Sequence, residues 1–496
     1  MNYRIISRII STIISIIGVA MLTAVPVALL MGDARQDVLG LLTAALITLT
    51  VGAIGVAFIK PASSNFRIRE GFCIVTFSWI GASVFGALPY ILVGNMGYAD
   101  SFFESMSGMT TTGATVIADI SAMSRGLLYW RCLSQWLGGM GIVVLSLAVL
   151  PLLGIGGIQL YKAEVPGPSN DQLTPRIANA AKILWLIYLL LTFSVLVLLK
   201  LCGMSLYDAL CHSFTTIATS GFSTQNASIG AYDNACIDWI IIVFMFLAGC
   251  NFILHLRFLK GQPLGHFKDE EFRFYFLTTI ITIAIVSGIL LASGHYGSSV
   301  TDVIRYASFS VMTIITTTGY SNTDYDAWPS FIRCLLFALM FIGACGGSTT
   351  GGIKLTRILL LLKQARYQLQ RAIYPHSVTN VRINNHRITD DLMSRVFGFL
   401  IIYIVLFFVF TLALCIIEPN LGTPVDGKQY SVMETAFSSS VACLSNLGPG
   451  LAKVGPTQNF AWFSAPSKLL LAFAMLLGRL ELYTVLVLFL PFFWKR

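Results

Sequence analysis

The chain has 496 residues, of which 56% are apolar and 11% are charged, and its mean hydropathy is +0.78. Charged residues usually make up about a quarter of a soluble domain, so these values exclude a soluble protein and indicate one polytopic membrane unit. The formal net charge of +9 is spread over several loops, which favours a role in membrane orientation over binding to nucleic acid.

Ten apolar segments follow one another, most of them near the roughly 20 residues that a helix needs to cross the hydrocarbon core. The first follows Arg4 and Arg8 and continues to Leu30, which favours a retained helix over a signal peptide. The ten cysteines form no CxxC pair and lie mostly inside these segments, so we expect free, buried thiols. The segments are 9–30, 39–59, 71–93, 126–153, 178–202, 236–259, 272–293, 331–362, 394–417 and 467–493.

Four short stretches between apolar segments end in a glycine that follows small hydroxyl or amide residues; they are 110–113, 218–221, 316–319 and 445–448. The glycines are 108, 98 and 129 residues apart, and a short amphipathic piece precedes each one. This order predicts an all-α membrane protein with two leading helices and four units of helix, pore half-helix and helix around a central ion pathway. The predicted units are 1–62 for the leading helices, then 63–165, 166–262, 263–375 and 376–496.

The placement of charge predicts the orientation in the membrane. If the N-terminus is cytoplasmic, the inner segments collect the basic residues, as the positive-inside rule requires, and both termini are cytoplasmic. The half-helices then enter from the acidic outer side, where carboxylates raise the local cation concentration, although for any single acid solvation of its loop is the favoured explanation. The outer acids are Asp33, Asp37, Asp100, Asp119, Asp233, Asp302, Asp324, Asp326, Glu418 and Asp426.

The four glycine-ended strands predict a selectivity filter for a cation. A polar strand between membrane helices is costly unless it faces water or an ion, and four around one axis would form a ring of carbonyl oxygens that replaces a cation's hydration shell, as in a potassium pathway. A single stretch would be better explained as a glycine-ended helix cap or an ordinary turn, but four instances favour the filter. Its residues are Thr111, Thr112, Gly113, Thr219, Ser220, Gly221, Thr317, Thr318, Gly319, Asn446, Leu447 and Gly448.

A glycine-rich stretch at 343–352 interrupts an apolar segment. Each glycine weakens a helix by about 1 kcal/mol relative to alanine, and the stretch is too polar to face lipid, so we expect it to line the path under the filter. A plain kink is the alternative, and a P-loop is excluded because Ile353 precedes Lys354. The residues of the stretch that matter here are Gly343, Gly346, Gly347, Ser348, Thr349, Thr350, Gly351 and Gly352.

Arg479 lies near the middle of the last apolar segment, where a guanidinium is costly and usually marks function. It could neighbour Glu481, or it could project into the pore beneath the filter as an electrostatic barrier. A structural role, in which Arg479 pairs with an acid or with backbone carbonyls, is the alternative.

This arrangement resembles the superfamily of potassium transporters that includes the Trk, Ktr and HKT proteins. The two extra leading helices are similar to those of the TrkH-type subunits of that superfamily. Three further motifs carry the resemblance, which covers essentially the whole chain: the sequences at 444–450, 346–354 and 478–481. Serine in place of the first-unit glycine is associated with sodium permeation in the family, and the chain has Gly113 at this position, so potassium is the expected ion.

The resemblance implies an inner-membrane potassium uptake subunit that forms a homodimer on cytoplasmic, nucleotide-binding TrkA-type subunits. It also implies that the stretch 343–352 is an intramembrane gate and that Arg479 is a pore barrier. Potassium is then the transported ion, membrane lipid surrounds the protein, and neither a covalent cofactor nor a nucleic acid is expected.

Two other classes of function fit less well. A sodium-coupled or sodium-permeable carrier with inverted repeats is disfavoured because these four units share one orientation. An enzyme is not expected, because the six histidines are scattered and no catalytic set can be assembled. The residues leave open whether transport is passive or is a symport with protons or sodium.

Overall fold

The computed structural model describes residues 1–59, 68–148, 173–262, 265–297, 299–375, 380–424 and 429–495. Its first helical segments, Tyr3–Leu22 and Ala24–Met31, pack against the helix Arg35–Phe58. Small residues let these helices approach closely, since Gly52 lies directly against Ser15. They are the two leading helices that the sequence predicts.

Four repeats follow, each with a leading helix, a half-helix and a trailing helix. The leading helices are Ile68–Gly86 with Leu88–Leu92, Leu173–Leu201, Glu270–Ser293 and Asp390–Ile417. Half-helices 1 to 4 are Tyr98–Met109, Leu206–Ile217, Val300–Ile315 and Val432–Leu444. The trailing helices start with Arg125–Ala148, Ala235–Gly249, Ser330–Met340 and Ala465–Arg479.

The half-helices have 12, 12, 16 and 13 residues, too few for the roughly 20 that span a bilayer. In repeat 2 the chain returns to the side from which it entered. This is shown by the Asn234 amide at the start of the trailing helix, which donates to the Cys202 carbonyl at the end of the leading helix at 3.1 Å. We call this side the mouth face. An acid in the first turn of each half-helix stabilises the positive end of its dipole; these acids are Asp100, Asp208, Asp302 and Glu434.

Within the described residues, three trailing helices are interrupted. The third stops at Met340 and resumes as Leu355–Ile373, with the glycine-rich loop (343–352) between its halves. The second and fourth, predicted as the continuous segments 236–259 and 467–493, bend by 101° and 111° before Phe252–Leu259 and Tyr483–Phe489. The second bends because Asn251 accepts a hydrogen bond from the Ile253 N–H at 2.9 Å and so starts a new helix.

The expectation that all cysteines are free thiols is wrong at one pair. Cys202 and Cys236 form a disulfide at the mouth face of repeat 2. The connection through half-helix 2 brings the ends of two helices together although they are 34 residues apart in sequence, a proximity that hydropathy alone does not reveal. Of the remaining eight free cysteines, Cys334 and Cys415 are exposed and the others are buried.

The fold is the predicted all-α membrane architecture. Among the described residues, six helices are long and apolar enough to cross a membrane, and eight if each bent pair is one span. The only sheet among the described residues pairs Arg382–Ile383 with His386–Arg387. The predicted repeat boundaries fall within or beside segments outside the described residues, so they stay predictions.

Candidate functional site: a ring of four glycines

Each half-helix ends in the same backbone turn. The residue just before each predicted filter glycine donates its N–H to the carbonyl five positions earlier, which closes the last helical turn. The bonds are Thr112 to Ser107 at 2.9 Å, Ser220 to Thr215 at 3.0 Å, Thr318 to Thr313 at 2.8 Å and Leu447 to Ala442 at 2.8 Å. The fourfold repeat seen in the sequence is therefore also a repeat of backbone geometry.

The four turns meet in a closed ring. A Cβ atom added to any one ring glycine would overlap or crowd a backbone carbonyl oxygen of the next repeat, so only glycine allows this approach. The contacts run around the circle in chain order: Gly113 to Ser220, Gly221 to Thr318, Gly319 to Leu447 and Gly448 to Thr112. All four repeats thus contribute backbone to one closed ring within a single chain.

Each strand of the ring has two residues with a left-handed backbone, separated by one residue. The ring glycines have φ values of 84°, 75°, 82° and 99°, and the residue two positions before each one is also left-handed, at 53°, 50°, 50° and 54°. Those preceding residues are Thr111, Thr219, Thr317 and Asn446. Three are β-branched, for which this conformation is a genuine outlier, and such strain clusters at functional sites.

The ring is accessible at three of its glycines. Gly113, Gly221 and Gly319 are partly exposed, whereas Gly448 and the two residues before each ring glycine are buried. All twelve predicted filter residues are brought together in this ring. Since the C-terminal ends of the four half-helices converge there, their partial negative charges favour a cation.

Two amide side chains brace the ring. The Gln135 amide donates to the Ser220 carbonyl at 2.8 Å and accepts from the Phe222 N–H at 3.1 Å. The Asn446 amide donates to the Thr112 hydroxyl at 2.9 Å and so links repeat 4 to repeat 1. These side chains tie the ring strands of repeats 1, 2 and 4 together.

The glycine-rich loop lies directly against the inner side of the ring, away from the mouth face. The Thr349 hydroxyl accepts from the Thr219 hydroxyl at 3.1 Å, and the Gly351 N–H donates to the Thr317 hydroxyl at 2.7 Å. A Cβ atom on Gly351 would overlap the Ser445 carbonyl oxygen. The loop thus contacts repeats 2, 3 and 4 immediately under the ring.

The two ends of this loop are held together. The Gly343 N–H donates to the Ile353 carbonyl at 2.9 Å. The buried Glu271 carboxylate, at the start of the third leading helix, accepts from the Gly346 N–H at 2.6 Å and the Thr356 N–H at 3.2 Å. The loop is therefore anchored at both ends, while its middle lies against the ring strands.

Arg479 lies beneath the ring and is buried. Its guanidinium donates to the Thr349 carbonyl of the loop at 2.8 Å and to the Gly138 carbonyl of repeat 1 at 3.1 Å. It is not paired with Glu481, which instead forms an ion pair with Arg357. The side chain thus bridges the loop to the first trailing helix through backbone carbonyls.

Polar links at the mouth face join each trailing helix to the half-helix of the next repeat. The Tyr207 hydroxyl donates to the Arg125 carbonyl at 2.6 Å between repeats 1 and 2. The other three links are ion pairs: Asp238 with Arg305 at 3.7 Å, Arg333 with Glu434, and Lys468 with Asp100 at 2.6 Å. The repeats are therefore fastened in a circle around the ring.

The mouth also has an exposed carboxylate that is held in its charged form. The Asn226 amide donates to Asp119 at 2.9 Å and lowers the pKa of that carboxyl. An ionised acid near the opening attracts cations.

A sequence profile of the TrkH family, described as cation transport protein, matches residues 42–496. The chain belongs to the TrkH family. It is 39% identical over 500 residues to the Trk system potassium uptake protein TrkH of Salmonella typhimurium, with 100% of each chain covered. It is 36% identical to the Trk system potassium uptake protein TrkG of Escherichia coli K12, covering 88% of this chain and 87% of that protein.

The crystal structure of the potassium transporter TrkH from Vibrio parahaemolyticus matches with a TM-score of 0.89 and 37% identity over 100% of both chains. The resemblance drawn from the sequence is thereby confirmed, as is the membership of a transporter family rather than of an enzyme family.

Several residues of this TrkH-family site were missed by the sequence reasoning. Gln135 and Glu271 brace the ring and the loop, and Glu104 and Arg131 form a fully buried ion pair. A signal was present, because Arg131 lies in the apolar segment 126–153, where a charge is as costly as that of Arg479.

Proposed function

We propose that the chain takes up potassium through the glycine ring across the bacterial inner membrane. The observation that carries this proposal is the closed circle of contacts between each ring glycine and a carbonyl oxygen of the next repeat. A ring of backbone carbonyls can replace the hydration shell of a potassium ion. The names of the relatives, potassium uptake proteins of Trk systems, support the same ion.

The path begins at the mouth face, where Asp119 and the polar links surround the opening. A cation loses water at the ring, where the four half-helix C-termini contribute partial negative charge. These dipoles are generic and do not distinguish potassium from sodium. The discrimination is assigned to the twelve filter residues, and in particular to glycine rather than serine at Gly113.

The glycine-rich loop is the proposed gate, and Arg479 is the proposed barrier. Thr349 and Gly351 of the loop lie against the ring strands, so in this conformation the loop occupies the exit. Arg479 holds the Thr349 carbonyl and adds a positive charge that repels cations. Opening requires that the middle of the loop move while the Glu271 contacts hold its ends.

Both termini are assigned to the cytoplasm, since the basic residues then lie inside. A homodimer and cytoplasmic TrkA-type nucleotide-binding subunits are the proposed assembly. Movement of the loop under the ring offers such subunits a means of control from the cytoplasmic side.

Growth at limiting potassium tests this function. A bacterial strain that lacks its own potassium uptake systems should grow at low potassium with this chain and fail with an empty vector. Membrane immunoblots control for expression. Failure to grow, with the protein present in the membrane beside its TrkA-type partner, would contradict potassium uptake. Growth that becomes sensitive to added sodium when the chain is present would favour a sodium-permeable transporter.

Deletion of Ser348, Thr349 and Thr350 should raise flux through the isolated subunit several-fold, because it removes Thr349, which holds the middle of the loop against the ring, and shortens the loop. Rubidium uptake into liposomes measures the effect. Replacement of the same three residues by alanine is the matched control: it keeps the length of the loop, so the rise should be smaller. Unchanged or lower flux in a well-folded deletion variant would reject the loop as the gate.

A further inference from the structure

Glu104 and Arg131 form a fully buried ion pair in repeat 1, behind the ring. Arg131 Nε lies 2.7 Å from a Glu104 carboxylate oxygen, and the two side chains are 1% and 0% exposed. Removing two charges from water is expensive, and such a pair is weak evidence for stability alone. A contribution to stability therefore does not by itself explain why this buried pair is present, and its contacts indicate a second role.

The Glu104 carboxylate holds the strand that leaves the first ring glycine. It accepts from the Thr115 hydroxyl at 3.0 Å and from the Val116 N–H at 2.9 Å. These residues follow Gly113 by two and three positions. Half-helix 1 thus fixes the course of its own strand immediately after the ring.

Arg131 extends the same network into repeat 2. Its Nη1 donates to the Ser223 carbonyl at 2.9 Å, and its guanidinium lies 3.5 Å from the centre of the Phe222 ring. Phe222 and Ser223 directly follow Gly221. One buried pair therefore connects the strands that leave two adjacent ring glycines.

The other repeats have no carboxylate at the matching position. Nine residues before its ring glycine, repeat 1 has Glu104, whereas repeats 2, 3 and 4 have His212, Ser310 and Ser439. His212 makes the equivalent contact in repeat 2, with Nε2 3.0 Å from the Ser223 hydroxyl. A carboxylate stands at this position only in repeat 1, beside the glycine on which the expected potassium preference depends.

We propose that Glu104 and Arg131 are positioning residues for ion selectivity, which hold the strands after Gly113 and Gly221 at the separation that favours potassium. This inference rests on the proposed function. The pair does not contact the ion, and it acts through Thr115, Val116 and Ser223.

The test compares potassium-over-sodium flux ratios and thermal stability for Glu104→Gln and for the double variant Glu104→Gln/Arg131→Met. Both should lower the flux ratio about tenfold, the change that a loss of about 1.4 kcal/mol in discrimination gives. The single variant leaves a buried guanidinium unpaired and should also lose stability. The double variant removes both charges and should recover stability without recovering selectivity.

Lys363→Met is the matched control. It breaks the ion pair with Glu270, which has no contact with a ring strand, so stability should fall slightly while the flux ratio stays unchanged. A wild-type flux ratio retained in both Glu104 variants would overturn the inference and leave the proposed function intact. Flux without potassium preference in the wild type would overturn the proposed function, and the inference with it.

Discussion

Replacement of Gly113 by serine is expected to reduce the potassium-over-sodium flux ratio about tenfold, equivalent to about 1.4 kcal/mol. Gly113 has a φ of 84°, a region that costs a residue with a side chain roughly 1–2 kcal/mol. The added Cβ would also overlap the Ser220 carbonyl oxygen, so two of the four strands must move apart. Competition of potassium and sodium against rubidium uptake in liposomes measures the ratio.

Gly288→Ala is the matched control for this substitution. Gly288 lies in the third leading helix, and a Cβ atom there would meet nothing within 4 Å, so its flux ratio should equal that of the wild type. An unchanged ratio in purified Gly113→Ser protein would contradict the assignment of this strand to the filter.

Replacement of Arg479 by alanine is expected to raise rubidium flux through the isolated subunit about tenfold. Two unit charges about 12 Å apart at an effective dielectric constant of about 20 repel each other by about 1.4 kcal/mol. The substitution also removes the hydrogen bond that holds the Thr349 carbonyl, which frees the middle of the loop. Rubidium uptake and thermal stability should be measured on the same preparation.

Arg479→Gln separates charge from hydrogen bonding, since glutamine can still donate to a carbonyl but carries no charge. Flux that rises in both variants would identify the positive charge as the barrier. Flux that rises only in the alanine variant would identify the hydrogen bond to the Thr349 carbonyl as the feature that limits flux. Each lost hydrogen bond from the guanidinium should lower stability by about 1.5–3 kcal/mol. A large stability loss with unchanged flux would reject the barrier and leave Arg479 a structural residue.

The parts of the molecule that follow from local backbone requirements could be predicted from the sequence. Each repeat needs one left-handed glycine after small polar residues. The four stretches ending at Gly113, Gly221, Gly319 and Gly448 therefore predicted both the ring and the order of the helices. The loop between Met340 and Leu355 could be predicted for the same reason, because its glycines cannot sustain a helix.

The parts that depend on distant partners could not be predicted. Arg131 and Ser223 are 92 residues apart and Glu271 and Gly346 are 75 apart, and no local pattern pairs them. The Cys202–Cys236 disulfide and the sharp bend near Glu481 likewise arise from packing. At Glu481 and Leu482 the φ values of 57° and 56° place non-glycine residues in a left-handed turn that the apolar pattern hides.

The reversal potential of the purified protein in a planar bilayer, with potassium on one side and sodium on the other, tests the central claim most directly. If potassium passes through the glycine ring of a single chain in preference to sodium, the potential should lie far from zero with the potassium side negative, and Gly113→Ser should move it toward zero. A potential near zero in the wild type, or one that Gly113→Ser leaves unchanged, would contradict the account.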